Sequence, residues 1–170
     1  MSNIFKRTSV RNYTGEKVTS EQIAMLMKAA MAAPSAKNSQ PWEFLVLQER
    51  ETLLKITEFH PYSSMLKHAP LAIVVCADAN KEMPDLKGLD FWTQDCAAAT
   101  QNIMLQAADM ELGSVWLGVY PKDLLVDGIK KLFGLPENII PFSIVAIGHP
   151  EGEVHPKDKF DPNKIHFEKW

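Results

Sequence analysis

Ile23, Leu26, Met27 and Ala30 recur at helical spacing, and the stripe sits behind a Thr19–Gln22 capping box with Val18 placed to staple against Ile23. Pro34 stops this helix near Ala33. Glu43 to Gln48 is a short, mostly apolar run that predicts a strand, and Glu49 to Phe59 returns to helical spacing with Leu53, Leu54 and Ile56 inward. Leu71 to Ala77 is continuously apolar and β-branched, the pattern of a strand covered on both faces. Asp90 to Met110 predicts the longest helix; its Ala97–Ala99 run lets a neighbour come close, while Ile103, Leu105 and Ala108 add bulk. Ser114 to Leu117 predicts a strand ended by Gly118, and Lys122 to Phe133 a helix closed by Gly134 at C′ and followed by Pro136. Phe142 to Gly148 is the last strand, and beyond Pro150 the chain turns polar and extended.

Four or five strands among five helices imply an α/β or α+β sandwich. The pattern shows no repeat and no linker, so one domain with a tail is expected. The length of 170 residues suits that and allows roughly 70% of the unfolded surface to be buried. A net charge of −3 argues against nucleic acid and anionic membrane as partners. No apolar run approaches the ~18 residues of a membrane helix, and Met1–Arg7 has no hydrophobic leader region. Cys76 and Cys96 sit in apolar stretches without metal spacing and read as small buried hydrophobes in a reducing compartment. The expectation is a soluble, cytoplasmic protein.

Most catalytic motifs are missing. The chain has no P-loop, no Gly-x-Gly-x-x-Gly, no His-Glu-x-x-His, no Cys-x-x-Cys and no Gly-x-Ser-x-Gly. His60, His68, His149, His155 and His166 lack ligand spacing and read as surface or satisfied histidines, so no metal is expected. Gln94 and Asp95, near a helix start, read as capping residues, and Cys96, Asp95 and His68 are set aside as catalysts. Chemistry here would come with a bound organic cofactor.

Two segments stand out. In Arg7-Thr8-Ser9-Val10-Arg11-Asn12-Tyr13, an extended backbone puts Arg7, Ser9 and Arg11 on one face. Two guanidinium forks about a hydroxyl can grip a phosphate or a polarised carbonyl; the plainer reading is a solvated N-terminal loop. Ala33 to Trp42 is a loop bracketed by Pro34 and Pro41 and crowded with Ser35, Asn38, Ser39 and Gln40. Its amides suit the edge of a planar heterocycle; its plainer reading is a turn leading into a core strand.

Together these residues resemble the nitroreductase family of FMN-dependent oxidoreductases. Asp95 to Asn102, Gly113-Ser114-Val115-Trp116-Leu117-Gly118 and Ile147-Gly148-His149-Pro150 follow in the family's order, so the resemblance spans nearly the whole chain. It implies an α+β fold: a three-layer sandwich whose central mixed, mainly antiparallel sheet is flanked by helices, with the long helix at a homodimer interface. Residues 1–154 would form the FMN-binding domain and 155–170 an extension wrapping the partner subunit. Arg7 would hold the phosphate with Thr8 and Ser9 nearby, Thr8 standing where a second basic residue is common. Arg11 would sit at the N1/O2 edge. Pro34, Ser35, Asn38 and Gln40 belong to the loop that would reach the flavin from the other subunit. Backbone at Leu117, Gly118 and Val119 would lie against the ring and aim an N–H at N5. Where the family has a C-terminal arginine on the phosphate, this chain offers Lys157 or Lys159, of which Lys159 is favoured. Only Lys81 to Leu89 is available to roof the site, so an open pocket is expected.

The implied activity is NAD(P)H-dependent: two half-reactions share one site, with NADH or NADPH as donor and a small electron-poor acceptor, a nitroaromatic or quinone, as recipient. No side-chain acid or base is required. An FMN carrier or sensor without turnover, and a flavin-free interaction module, are the rival readings.

Overall fold

The computed structural model describes residues 3–82 and 84–170. Met1 and Ser2 of the N-terminal stretch, and Met83 within Lys81 to Leu89, lie outside them. Four strands form one sheet in the order β1-β2-β4-β3: β1 (Trp42–Leu47), β2 (Leu71–Asp78), β3 (Gly113–Gly118) and β4 (Ile139–Gly148). All three pairings are antiparallel. A parallel contact occurs beyond β3, at the isolated bridge Ser9–Ser114.

The alternation of β2 organises the interior. Leu71, Ile73, Val75 and Ala77 face one core, shared with Leu26 and Ala30 of α2 (Ser20–Met31) and with Cys96, Ala99 and Ile103 of α4 (Phe91–Asp109). Ala72, Val74 and Cys76 face the other, shared with Leu53 and Ile56 of α3 (Arg50–Thr57) and Leu125 and Ile129 of α5 (Asp123–Phe133). The result is the three-layer α+β sandwich. The fifth helix, α1 (Asn3–Lys6), is a single turn without a periodic signal.

Local signals placed the elements well. The Thr19–Gln22 capping box is formed in both directions, at 3.2 and 2.8 Å. Gly134 ends α5 at φ 61°, a left-handed conformation that costs glycine nothing. Three expectations need correction. Leu54 is 38% exposed rather than buried, because the inward face of α3 repeats every three residues through Leu53 and Ile56, which turns Leu54 toward solvent. Leu105 and Ala108 are only half-buried, and the bulk of the buried face of α4 comes from Trp92, Ile103 and Met104. Strand β4 starts at Ile139 rather than Phe142 and carries Pro141 inside the sheet. It does so at a register shift in which Val75 pairs with Ser143 and Cys76 with Pro141, so Phe142 is bulged out of the pairing.

Residues 151–170 run over the surface almost wholly exposed. Phe160 is 76% exposed, Phe167 84% and Trp170 wholly so; Phe160 borders a cavity with Ile4, Phe5, Arg7 and Thr8 of its own subunit.

Cys76 and Cys96 are buried and free, with the Cys96 thiol 3.6 Å from the Cys76 carbonyl. Burial, reinforced by Glu43, pushes the Cys76 thiol from 9.0 up to about 12, and burial pushes Cys96 up as well. A thiol held protonated when folded but free to ionise when unfolded favours unfolding as pH rises. Its stabilising share is intact below about pH 9 and is lost between there and about pH 12. Urea midpoints should therefore fall over that interval, and a thiol reagent should label both cysteines only after unfolding. Rapid labelling of the folded protein would contradict the burial.

Candidate functional site

The Arg-rich N-terminal segment is fixed by backbone pairing to the outer edge of β3. The Val10 amide donates to the Ser114 carbonyl at 2.9 Å, and Tyr13 bridges to Pro150. The buried Tyr13 hydroxyl lies 2.7 Å from the Val10 carbonyl and 3.1 Å from that of Ala146. Burial raises its pKa against the opposing pull of Arg11. Val10 packs against the core, so its exposed neighbours Ser9 and Arg11 face away from it. Arg7 and Arg11 are four extended residues apart, roughly 13 Å at the strand rise. They line different cavities, as the two ends of an elongated ligand would require.

Arg11 lines a cleft of about 510 Å³ together with Leu117, Gly118 and Val119. The Val119 amide donates to the Phe142 carbonyl at 3.1 Å, and Gly118 pairs with Ser143 in register. Antiparallel alternation then turns both the N–H and the C=O of Gly118 away from β4, toward the open edge. Val119 is therefore not the free donor; Gly118 is the position whose N–H faces the cleft side. Its carbonyl is already taken, lying 3.0 Å from Nε2 of the buried His60. A Cβ built on Gly118 would meet no protein atom within 4 Å, and the backbone there is not left-handed. By contrast, a Cβ on Gly113 would strike Val10 and one on Gly148 would strike Pro70, each at 2.6 Å. Those two glycines answer to packing. Gly118 leaves space that only something outside the chain can use.

Arg7 and Thr8 line a second cavity, about 680 Å³, with Lys157 and Lys159 of the tail. Arg7, Thr8 and both candidate lysines thus border one cavity, while the exposed Ser9 does not line it. Pro34 and Ser35 border a third, separate depression with Asp95 and Phe91. Asn38 and Gln40 are exposed and bonded to each other, Gln40 Nε2 donating to Asn38 Oδ1 at 2.9 Å. This loop holds Lys37, Asn38 and Gln40 at positive φ, strain that needs anchors. Ser35 accepts the Gln40 amide at 3.0 Å, and Lys37 pairs with Asp85. Asp95 is buried and accepts the Ala36 amide at 2.9 Å and the Ser39 hydroxyl at 3.5 Å. Asp95 therefore pins the loop rather than capping α4, whose N-cap is Asp90; Gln94 is exposed. The loop precedes β1 and the Arg11 cleft follows β3, so three strand spacings, roughly 14 Å, separate them on one protomer.

The sequence pointed to neither His60 nor Tyr62 nor Lys122, all of which line the Arg11 cleft. Tyr62 is 69% exposed, and the Lys122 ammonium stands 5.5 Å from the centre of its ring. None of the described residues of Lys81 to Leu89 lines this cleft. Among the described residues no group of three or more His, Cys, Asp or Glu side chains is placed to hold a metal.

The model of the nitroreductase family matches residues 4–61 and 58–149. This chain belongs to the nitroreductase family. A Methanothermobacter thermautotrophicus relative, provisionally named NADH dehydrogenase/NAD(P)H nitroreductase, is 48% identical over 96% of this chain and 84% of its own. A Clostridium acetobutylicum crystal structure provisionally named NADH oxidase is 48% identical with a TM-score of 0.94, covering 99% of this chain and 100% of the other. An FMN-dependent nitroreductase from Clostridium difficile is 30% identical with a TM-score of 0.90, covering 99% of both. For a nitroreductase the donor set here fits FMN: cations at Arg7, Lys157 and Lys159 for a phosphate, an open glycine edge for a flat ring, and Arg11 beside it.

Replacing Gly118 by Ala should leave the melting temperature of the ligand-free protein within a degree or two, because the methyl meets nothing in the fold. FMN affinity should fall at least tenfold in the same variant. A variant that melts much lower, or binds FMN undiminished, would show that the glycine serves the chain itself.

Proposed function

We propose that this protein is an FMN-dependent oxidoreductase that takes hydride from NADH or NADPH and delivers it to an electron-poor acceptor such as a nitroaromatic or quinone. The observation that carries the reading is the Gly118 edge, an unobstructed strand terminus with a main-chain donor on its open side and a guanidinium in the same cleft. Bound FMN supplies the hydride relay between the two substrates. The chain supplies position and field. Arg7 and one of Lys157 and Lys159 hold the phosphate, Lys159 being favoured, with Thr8 and Ser9 alongside. Arg11 and Lys122 make the ring end cationic in a chain of net charge −3, and among the described residues no carboxylate lines that cleft. Such a field favours electron-rich ring states and an anionic donor. The aromatic face of Tyr62 gives an incoming acceptor a surface to stack on.

The protein works as a homodimer. The 34–42 loop lies at the opposite sheet edge from the cleft, so Pro34, Ser35, Asn38 and Gln40 reach a flavin only from a second copy. The exposed Phe160, Ile165, Phe167 and Trp170 of the 155–170 extension support the same arrangement, since four large apolar groups on a short tail call for a partner surface. The buried free thiols favour a reducing, cytoplasmic setting. No helix of the described residues is long and apolar enough to cross a membrane.

Purified protein incubated with FMN should gain absorbance near about 450 nm, a property of the cofactor. NAD(P)H should bleach it and a quinone or nitroaromatic restore it, with parallel double-reciprocal plots. Bleaching that never occurs would favour an FMN carrier instead. Arg11→Ala should weaken FMN binding by about ten- to a hundred-fold through loss of a charge-assisted contact; unchanged affinity would remove Arg11 from the site. Deleting residues 156–170 should shift light scattering from dimer toward monomer and release flavin together. A flavin-loaded monomer, intact or truncated, would overturn the shared site.

A further inference from the structure

We propose that His60 is a positioning residue for the flavin edge: its imidazole occupies the Gly118 carbonyl, so that at Gly118 the open edge of β3 offers the ring a main-chain donor and no free acceptor. The inference rests on the FMN reading above and goes beyond it in assigning a residue that touches neither cofactor nor substrate.

The tautomer follows from the surroundings. The Tyr62 amide, which can only donate, points at His60 Nδ1 at 3.3 Å. Nδ1 is therefore the acceptor, and the proton sits on Nε2, which donates to the Gly118 carbonyl at 3.0 Å. The residue is 2% exposed, so water has little access to the ring itself. Its backbone is held just beyond α3, with its amide donating to Ile56 and its carbonyl accepting the Ser63 hydroxyl at 2.7 Å. At the far end of the same peptide unit the Val119 amide donates to Phe142 at 3.1 Å. The Gly118–Val119 peptide is thus gripped on its oxygen by α3's trailing segment and on its nitrogen by β4.

The chemistry gives this grip a consequence. An unpartnered carbonyl at the edge of the cleft would aim lone pairs toward a ring that is about to become electron-rich, and would disfavour the reduced cofactor. A carbonyl already accepting an N–H presents much less negative potential. The Gly118 N–H, on the same edge, is then the polar group that this residue leaves for the ring. His60 acts in its neutral form, through one hydrogen bond, and its effect falls more heavily on reduced than on oxidised FMN.

The test compares His60→Leu, which keeps apolar volume and loses the donor, with His60→Gln, whose side-chain N–H reaches about as far as Nε2. Dissociation constants for oxidised FMN and for chemically reduced FMN are measured anaerobically for each protein. In His60→Leu the preference for reduced over oxidised FMN should fall at least tenfold relative to wild type, equivalent to a midpoint potential about 30 mV lower for a two-electron couple. His60→Gln should restore most of it. Equal weakening of both forms, or a lower melting temperature with the ratio unchanged, would overturn the positioning role and leave His60 as core filling. Wild-type protein that binds no FMN would overturn the flavin reading itself. Should His60→Leu not fold, nitrogen-15 NMR of the wild-type imidazole decides the matter. A proton on Nε2, slow to exchange and moved in shift by FMN reduction, supports the proposal; an unprotonated Nε2 overturns it.

Discussion

A sheet buried on both faces has no room for chemistry on its surface. With every described side chain of β2 up to Ala77 sunk into one of two cores, and the interior of β4 nearly as deep, polar function can occupy only the sheet's edges and ends. The outer edge of β3 is where this constraint opens. The N-terminal segment covers its first half through Ser9, Val10 and Ser114, and among the described residues no backbone pairs with the outer edge of its second half. Everything assigned to the ring end of the site gathers around that short length of uncovered backbone.

The same constraint sets the distance between the parts of the site. Covering both faces places the 34–42 loop at the β1 edge and the Arg11 cleft at the β3 edge, with two fully flanked strands between them. Asp95 holds the loop in its strained conformation and in doing so fixes it to α4, far from the cleft of its own protomer. The proposed dimer resolves this by geometry rather than by motion: a second copy brings its loop to the first copy's cleft, and the tail, almost wholly exposed on its own subunit, gains a surface.

His60 and Gly118 show how a site of this kind is built without catalytic side chains. The useful group is a main-chain N–H, available because antiparallel alternation aims it outward and because glycine keeps the space before it clear. The neighbouring carbonyl must then be satisfied from elsewhere, and a buried imidazole in a defined tautomer does so. Positive charge comes from exposed side chains at either end of an extended segment whose own backbone is locked.

Much of this was legible in the residues. Period and punctuation placed the four long helices and four strands to within a few residues, since capping boxes, C-terminal glycines and β-branched runs act locally. The Arg7–Arg11 segment and the Pro34–Trp42 loop were visible as unusual, and their resemblance to nitroreductases pointed to FMN. The exposure of Leu54, the start of β4 ahead of Pro141 and the role of Asp95 were not visible, because each depends on a neighbour far along the chain. His60 is the clearest case: its partner is a backbone carbonyl 58 residues away, and a carbonyl leaves no mark in a sequence. Sequence determined which segments are helix, strand and polar loop, because those preferences are settled within a few residues. Tertiary structure alone decided which strand edge stays open and which buried groups guard it, because edges and burial exist only once distant segments have packed.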